Sequence, residues 1–474
     1  MTAPIVVDPH GFTEGAEIYA EVHRNTLVPA ISDLSAVLAD CGGSAGSDNA
    51  GLKWSADYDP AAYGTVDSLA DLALACGQMH DLLQASASNH ANANSQSAPN
   101  ADPGALVFPP GSLTVYNPPE PPPTFGGDDP EPTGWDWVRG AVQGELWPNG
   151  RPSKLRNAAG AWRAMATKLR MATISLPGAR SLIESQQSPE TQQALEQADI
   201  VKNQFDNLAG ACDELAKSSD AYADSVSHTK GQIVKALIEL AAIIALDQAA
   251  GWIGAAITGG GSAAAAQGGM ALAISIYGAR IAAMIRALIG LTEAARVPVA
   301  VSQAISRGTE ALIPLLRARP ALAGADGAVS PGPFTSFADL RRPKLTQQTK
   351  DAIEAKTKKW GPPGNPQEFY EVESEPAVKV PVNKSYDDKP WVTQLEKSDD
   401  GKYYLDPANR ARYPVNPNWE YGHLGGFEHR RLLADAQSKG MNQQEFNDYV
   451  NSHPDYFHIE DQYGNRSHRR EHKP

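Results

Sequence analysis

Six of the chain's eleven histidines fall within its last 52 residues. Two short motifs frame them. Tyr421-Gly422-His423 leads through Leu424-Gly425-Gly426-Phe427 to Glu428, and Asn465-Arg466-Ser467-His468 follows near the end. Imidazole exchanges protons near neutral pH and is the commonest nitrogen ligand for metals. Phosphodiester hydrolysis needs a base for water and positive charge for the developing phosphorane, and a divalent ion provides that charge. His423 is the candidate base, next to a glycine where the backbone can turn sharply. Glu428 is the candidate either to orient His423 or to join His468 as a metal ligand. Asn465 is the candidate to hold the base through a loop hydrogen bond, as groups behind a metal site do. Arg430, Arg466 and Arg469 are candidate phosphate contacts. His429, His453 and His472 read as solvated, Glu460 as structural, and His458 as a strand residue that could face either way.

The elements that would position these groups follow from local pattern. Tyr403-Tyr404-Leu405 reads as a strand ended by Asp406-Pro407. A helix opens at Glu428 and runs to about Lys439, with Leu432, Leu433 and Ala436 as its core face and Gly440 as its stop. Asn442 with Glu445 starts a second helix carrying Phe446, Tyr449 and Val450. Phe457-His458-Ile459-Glu460 alternates like a strand. Asn465 is expected to cap a short last helix with His468 in its first turn.

This ordered set resembles the GH-E family of the HNH/endonuclease VII superfamily, whose members are C-terminal domains of polymorphic bacterial toxins. The resemblance covers about residues 390–474 and rests on Trp419-Glu420-Tyr421-Gly422-His423, on Glu428, and on Asn465-Arg466-Ser467-His468 with Glu471. It implies a ββα-metal core and a metal-dependent endonuclease using Mg²⁺, Mn²⁺ or Zn²⁺, with DNA ahead of RNA as substrate. Two features depart from the simplest HNH fingers: the long helical insert between His423 and Asn465, and the short tail after His468.

Charge divides the chain. The net charge is -14, yet residues 341–474 hold 21 basic and 21 acidic side chains. The whole excess therefore lies in the first 340 residues, and such an acidic front repels phosphate. Three cysteines, at 41, 76 and 212, lack zinc-finger spacing. A Cys41–Cys76 disulfide in an exported protein and three buried free thiols are both open readings. The start has no basic region followed by a long apolar run, so no cleavable signal peptide is expected.

Residues 1–97 read as a helical hairpin, with Ile31, Leu34 and Leu38 on one arm and Val66, Leu69, Ala73, Cys76 and Leu83 on the other. The Ser/Ala/Asn tract from Asn89 to Asn100 is expected to fray. Residues 98–133 hold 11 of the 36 prolines and read as an extended, semi-rigid linker. Residues 134–317 read as helical, with Leu155, Ala159, Trp162 and Ala166 on one face and Ala194, Leu195 and Ala198 on another. Ser188-Pro189 reads as a helix start with Ser188 as cap. No residue from Gln248 to Ala279 is charged. That stretch reads either as a small-residue helical hairpin able to enter a membrane or as a buried helix pair. Residues 318–345 read as a second, flexible linker and 346–474 as a compact α+β domain. The expected fold is thus multidomain, mostly α-helical over its first two thirds, with a small ββα-metal domain at the C-terminus.

Gly134-Trp135-Asp136-Trp137-Val138, Trp147-Pro148-Asn149-Gly150 and Lys154-Leu155-Arg156-Asn157-Ala158-Ala159-Gly160-Ala161-Trp162-Arg163 resemble the helical N-terminal region of mycobacterial channel proteins that carry an NAD-hydrolysing toxin. That resemblance covers roughly residues 1–230. It implies signal-less export by a type VII-like system with small Trp-X-Gly helical-hairpin partners. Tyr63-Gly64-Thr65-Val66-Asp67 has the Tyr-x-x-x-Asp export spacing but does not follow a hairpin, so it reads as chance. Together these features describe a secreted toxin of interbacterial competition that acts in the target-cell cytoplasm, with a cognate acidic immunity protein. The rival reading is a non-enzymatic helical channel or secretion-structure protein with a metal-stapled binding module at its end.

Overall fold

The structure is a computed structural model. It describes residues 7–97, 113, 116–258, 263–318, 321–323, 329–331, 340, 342–361, 368–372, 376–398, 401–424, 427–439, 441 and 443–466. The front is helical and the tail is α+β, as expected. Helix α1 (Pro9–Glu21) starts where Asp8 accepts a hydrogen bond from the His10 amide at 3.0 Å. It passes through a π-helical stretch, Val22–Leu27, into α2 (Val28–Ala39). Helix α3 (Asn49–Gln96) returns, capped by Asp48, whose carboxylate accepts from Ala50 and Gly51. The apolar positions read from periodicity on both arms are buried. The Ser/Ala/Asn tract does not fray at its start: α3 runs on to Gln96, Asn92 is buried, and His90 Nε2 lies 2.6 Å from Glu190.

The described part of the proline-rich linker is extended but not free. Thr124 donates its amide and its hydroxyl to Asp59 at 3.1 and 2.6 Å. Gly46 and Gly126 exchange backbone hydrogen bonds at 2.7 and 3.1 Å. Asn149 ties the same place from a third side. Its Oδ1 accepts from the Ser47 amide at 2.7 Å, and its Nδ2 donates to the Gly127 carbonyl at 3.1 Å. A Cβ at Gly150 would collide with the Ala45 carbonyl, so the Trp147-Pro148-Asn149-Gly150 motif works as a structural knot.

Past a short helix α4 (Trp135–Val138) come α5 (Pro152–Ala172), α6 (Leu176–Glu184), α7 (Thr191–Thr258), α8 (Ala263–Ala294) and α9 (Val299–Arg317). Helix α7 begins at Thr191, not at Ser188–Pro189. Ser188 instead turns the chain, its carbonyl accepting from the Thr191 amide and its own amide donating to Thr191 Oγ1. Residues 1–97 and 134–317, set apart in sequence by the prolines, share one hydrophobic core that runs from Phe12 through Trp54 and Trp162 to Leu315. The three cysteines are buried free thiols. Helices α7 and α8 pack together, with Leu237, Leu240, Ile281 and Ile285 in a second small core alongside Trp135 and Trp147. Ile238, Leu246, Leu272 and Ile276 of the same pair are exposed. Met270–Leu316 is long and apolar enough to cross a membrane by length and composition.

Strands β1 (Ala321–Ala323) and β2 (Val329–Pro331) form a small antiparallel pair. The tail opens with α10 (Gln347–Lys356), capped by Thr346. Six short strands follow: β3 (Lys359–Trp360), β4 (Phe369–Val372), β5 (Val378–Pro381), β6 (Glu396–Lys397), β7 (Tyr403–Leu405) and β8 (Arg412–Pro414). They order as β3-β4-β5-β8-β7-β6, antiparallel except for β5 with β8. A separate hairpin pairs β9 (Trp419–His423) with β10 (Phe457–Asp461), and α11 (His429–Ser438) and α12 (Gln443–Asn451) are inserted between them. Helix α13 (Gln462–Arg466) follows β10 directly, completing a ββα order. Asp461, not Asn465, caps α13: its Oδ2 accepts from the Gly464 amide at 2.8 Å. Asn465 therefore sits within the helix. One tail core gathers Trp419, Leu432, Phe446, Phe457 and Ile459; a second gathers Phe369, Tyr386, Tyr404 and Tyr413.

Candidate active site

His423 ends β9 opposite Phe457, the first residue of β10. Strand alternation puts Trp419, Tyr421 and His423 on the core face and Glu420 and Gly422 on the other. The Glu460 carboxylate packs against Gly422, so a Cβ there would push it aside. His423 is only 6% exposed. Its ring centre lies 4.8 Å from that of Phe457 and 6.5 Å from that of His429. Burial pushes its pKa down to about 3; Arg342 and His429 push the same way, and the Glu428 charge opposes them. His423 is therefore a neutral imidazole at neutral pH. Arg342 Nη2 lies 3.4 Å from His423 Nδ1. A guanidinium only donates, so Nδ1 is the accepting nitrogen and the proton sits on Nε2.

Glu428 lies just before α11, and its carbonyl accepts from the Leu432 amide. Its carboxylate is buried and meets Arg431 Nε at 2.8 Å. His429, expected to be solvated, is half-buried and stacks on Phe446; burial first and Arg342 second bring its pKa to about 4. His453 stacks on Tyr456 away from the cavity. His458 lies opposite Gly422, on the face away from His423, with Nε2 3.5 Å from Glu460.

Asn465, the candidate to hold the base, is hydrogen-bonded to Glu420. Its Nδ2 donates to Glu420 Oε2 at 2.8 Å, while Gln462 Nε2 donates to Oε1 at 3.1 Å. Asn416 in turn fixes Gln462 at 2.6 Å. Glu420 belonged to the sequence motif, but no role followed from spacing alone. His468 and Arg469 lie outside the described residues, and so do the side chains of Arg430 and Arg466.

A cavity of about 520 Å³ brings His423, His429, Glu420 and Asn465 together. Arg342, Lys350 and Lys384 supply positive charge along its wall. Lys384 Nζ sits 4.0 Å over the Trp419 ring. Arg342 lies far ahead of the motif in sequence, and no local signal ties it to His423. Among the described residues, no three His, Cys, Asp or Glu side chains converge as a metal-ligand set. The Glu428 carboxylate is buried, and its charge acts on His423; the described donors do not complete a metal site by themselves.

Residues 400–471 match the family described as HNH/ENDO VII superfamily nuclease with conserved GHE residues, and residues 119–274 match the WXG100-like domain family. The chain carries a GH-E domain behind a WXG100-like one. The chain is similar to the outer membrane channel protein CpnT of Mycobacterium bovis and of Mycobacterium tuberculosis. Each is 32% identical over 250 residues, which is 50% of this chain and 28% of CpnT. It is also 34% identical over 192 residues to Mav of Mycobacterium avium, a protein named for NAD(+)–arginine ADP-ribosyltransferase activity; that match covers 40% of this chain and 22% of Mav. The chain thus spans less than a third of the length of these relatives. No solved structure matches it.

The two depressed histidines of the GH-E domain have a stability consequence. Unfolded histidine titrates near 6.5, so below that pH the unfolded chain takes up protons that folded His423 and His429 refuse. Their contribution is complete above pH 6.5 and is lost as pH falls toward 4 and then 3, at about 1.4 kcal/mol per pH unit for each group. Thermal melting should therefore drop between pH 7 and pH 5, and drop less in a His423→Gln/His429→Gln variant. Equal drops in both proteins would show that these rings do not carry the effect.

Proposed function

We propose that the chain is an exported polymorphic toxin whose GH-E domain is an endonuclease, with His423 as general base. The observation that carries this reading is a buried, neutral imidazole at the end of β9. It has an accepting nitrogen, the Glu428 carboxylate nearby, and arginine and lysine around the cavity it lines. The family's Gly, His and Glu are read as Gly422, His423 and Glu428. His423 takes a proton from the attacking water, and the surrounding cations attract the phosphate. Glu428 and His468 are the proposed ligands of a divalent ion (Mg²⁺, Mn²⁺ or Zn²⁺), which when bound stabilises charge on the phosphate and leaving oxygen. Arg430, Arg466 and Arg469 are the proposed phosphate contacts, and DNA is the proposed substrate ahead of RNA.

The WXG100-like region and the likeness to CpnT support export by a type VII-like route with small helical-hairpin partners. The proposed units are a helical export region (1–97), a linker (98–133), a second helical region (134–317), a linker (318–345) and the toxin domain (346–474). Contact of residues 248–279 with a membrane, action in the target-cell cytoplasm and neutralisation by an acidic immunity protein complete the proposal. The test is incubation of residues 340–474, which hold the whole first tail core and the second apart from Phe125, with plasmid DNA and total RNA and each of the three ions. Ion-dependent nicking of the plasmid that a chelator stops is the expected result. Intact DNA and RNA under every ion would end the reading.

A further inference from the structure

The helical front does not hang free of the GH-E domain; it lies over the candidate site. Phe125, from the proline-rich segment, is buried in the tail's aromatic core, with its ring centre 6.1 Å from that of Tyr463 and edge-on to it. Arg342 is held from behind by Glu120, with which its guanidinium pairs, while its Nη2 reaches His423 Nδ1. Two residues on, Lys344 pairs with Asp71 and, at 2.9 Å, with Asp67, both on α3. Burial would lower the lysine pKa, but the two carboxylates outweigh it and hold it above its ordinary value. Tyr63, one turn before Asp67, donates to Glu120 at 3.4 Å. Tyr63, Asp67 and Glu120 line the same cavity as His423.

Each contact opposes nucleic acid. A phosphate needs the cations that Glu120, Asp67 and Asp71 already hold, and those carboxylates repel it. Water needs the accepting nitrogen of His423, which the Arg342 guanidinium faces. We infer that the helical front is a built-in inhibitor of its own tail. Glu120 and the Asp67–Asp71 face of α3 close the GH-E site, and the site opens only when front and tail separate. The identity of the closed chemistry rests on the nuclease reading; the closure itself does not.

The test uses the full chain carrying Asp67→Asn, Asp71→Asn and Glu120→Gln together. Two readouts are followed. One is modification of His423 by diethylpyrocarbonate, located by mass spectrometry; the other is nicking of plasmid DNA with Mg²⁺, Mn²⁺ or Zn²⁺. Losing three such pairs should raise both rates about ten-fold or more over wild type. Glu120→Gln alone, at a half-exposed side chain, should move both the same way by less. A control that neutralises three distant carboxylates on α7 (Asp213→Asn, Asp220→Asn, Asp224→Asn) should behave as wild type. Equal His423 modification in wild type and the triple variant overturns the inference, and so does a control that matches the triple variant. Faster modification with no nicking by any protein upholds the closure and removes the nuclease reading instead.

Discussion

His423→Ala is expected to slow cleavage by residues 340–474 by a factor of about 10²–10⁴, the usual worth of a positioned general base. The size of the effect follows from the ring's environment. An imidazole that is unprotonated at neutral pH can take a proton from water, and His423 is such a ring. Alanine leaves no acceptor at the end of β9, and the Phe457 ring beside it cannot replace one. The variant should still fold, because the β9–β10 register is carried by backbone hydrogen bonds and by Trp419, Tyr421 and Ile459. Circular dichroism and melting check that. His453→Ala is the matched control: its ring stacks on Tyr456 outside the cavity, so its rate should stay near wild type. A wild-type rate from correctly folded His423→Ala would remove His423 from the chemistry.

How much of this is legible in the sequence follows the range of each interaction. The two arms of the first hairpin, the strand at Phe457 and the helices after Glu428 were readable because period and caps act within a few residues. The order of strand, insert, strand and final helix was readable because the family resemblance preserves order. What failed needed knowledge of neighbours. Spacing sets Asn465 beside the base, whereas strand alternation turns Glu420 toward α13, where the Asn465 amide donates to it. The cap fell to Asp461 because β10 runs straight into α13 with no loop between them. Arg342 and Glu120 meet across more than two hundred residues, and nothing periodic marks them. Prolines predict an extended stretch, but extension says nothing about what the chain lies against. Phe125 in the tail core and Thr124 on Asp59 decide that.

Trp54→Ala should lower the stability of the helical front by about 3–5 kcal/mol, the range for truncating a fully buried large aromatic. The indole is 1% exposed and stacks between Tyr58 and Tyr222, with ring centres at 4.3 and 4.7 Å. Its Nε1 donates to Ser218 Oγ at 3.1 Å and to the Ala295 carbonyl at 3.3 Å. One side chain thus joins α3 to α7 and to the end of α8, so its loss opens a cavity shared by elements from both sides of the prolines. Calorimetry of residues 1–317 should then show a single transition displaced downward by roughly 5–8 °C, given about 1.5 °C per kcal/mol for a body of this size. Two independent units would behave otherwise: the hairpin of α1 to α3 would melt early, and the α5–α9 transition would stay in place. That second outcome would separate the cores the structure joins. It would also weaken the case for α3 as a rigid face able to hold Asp67 and Asp71 against the tail.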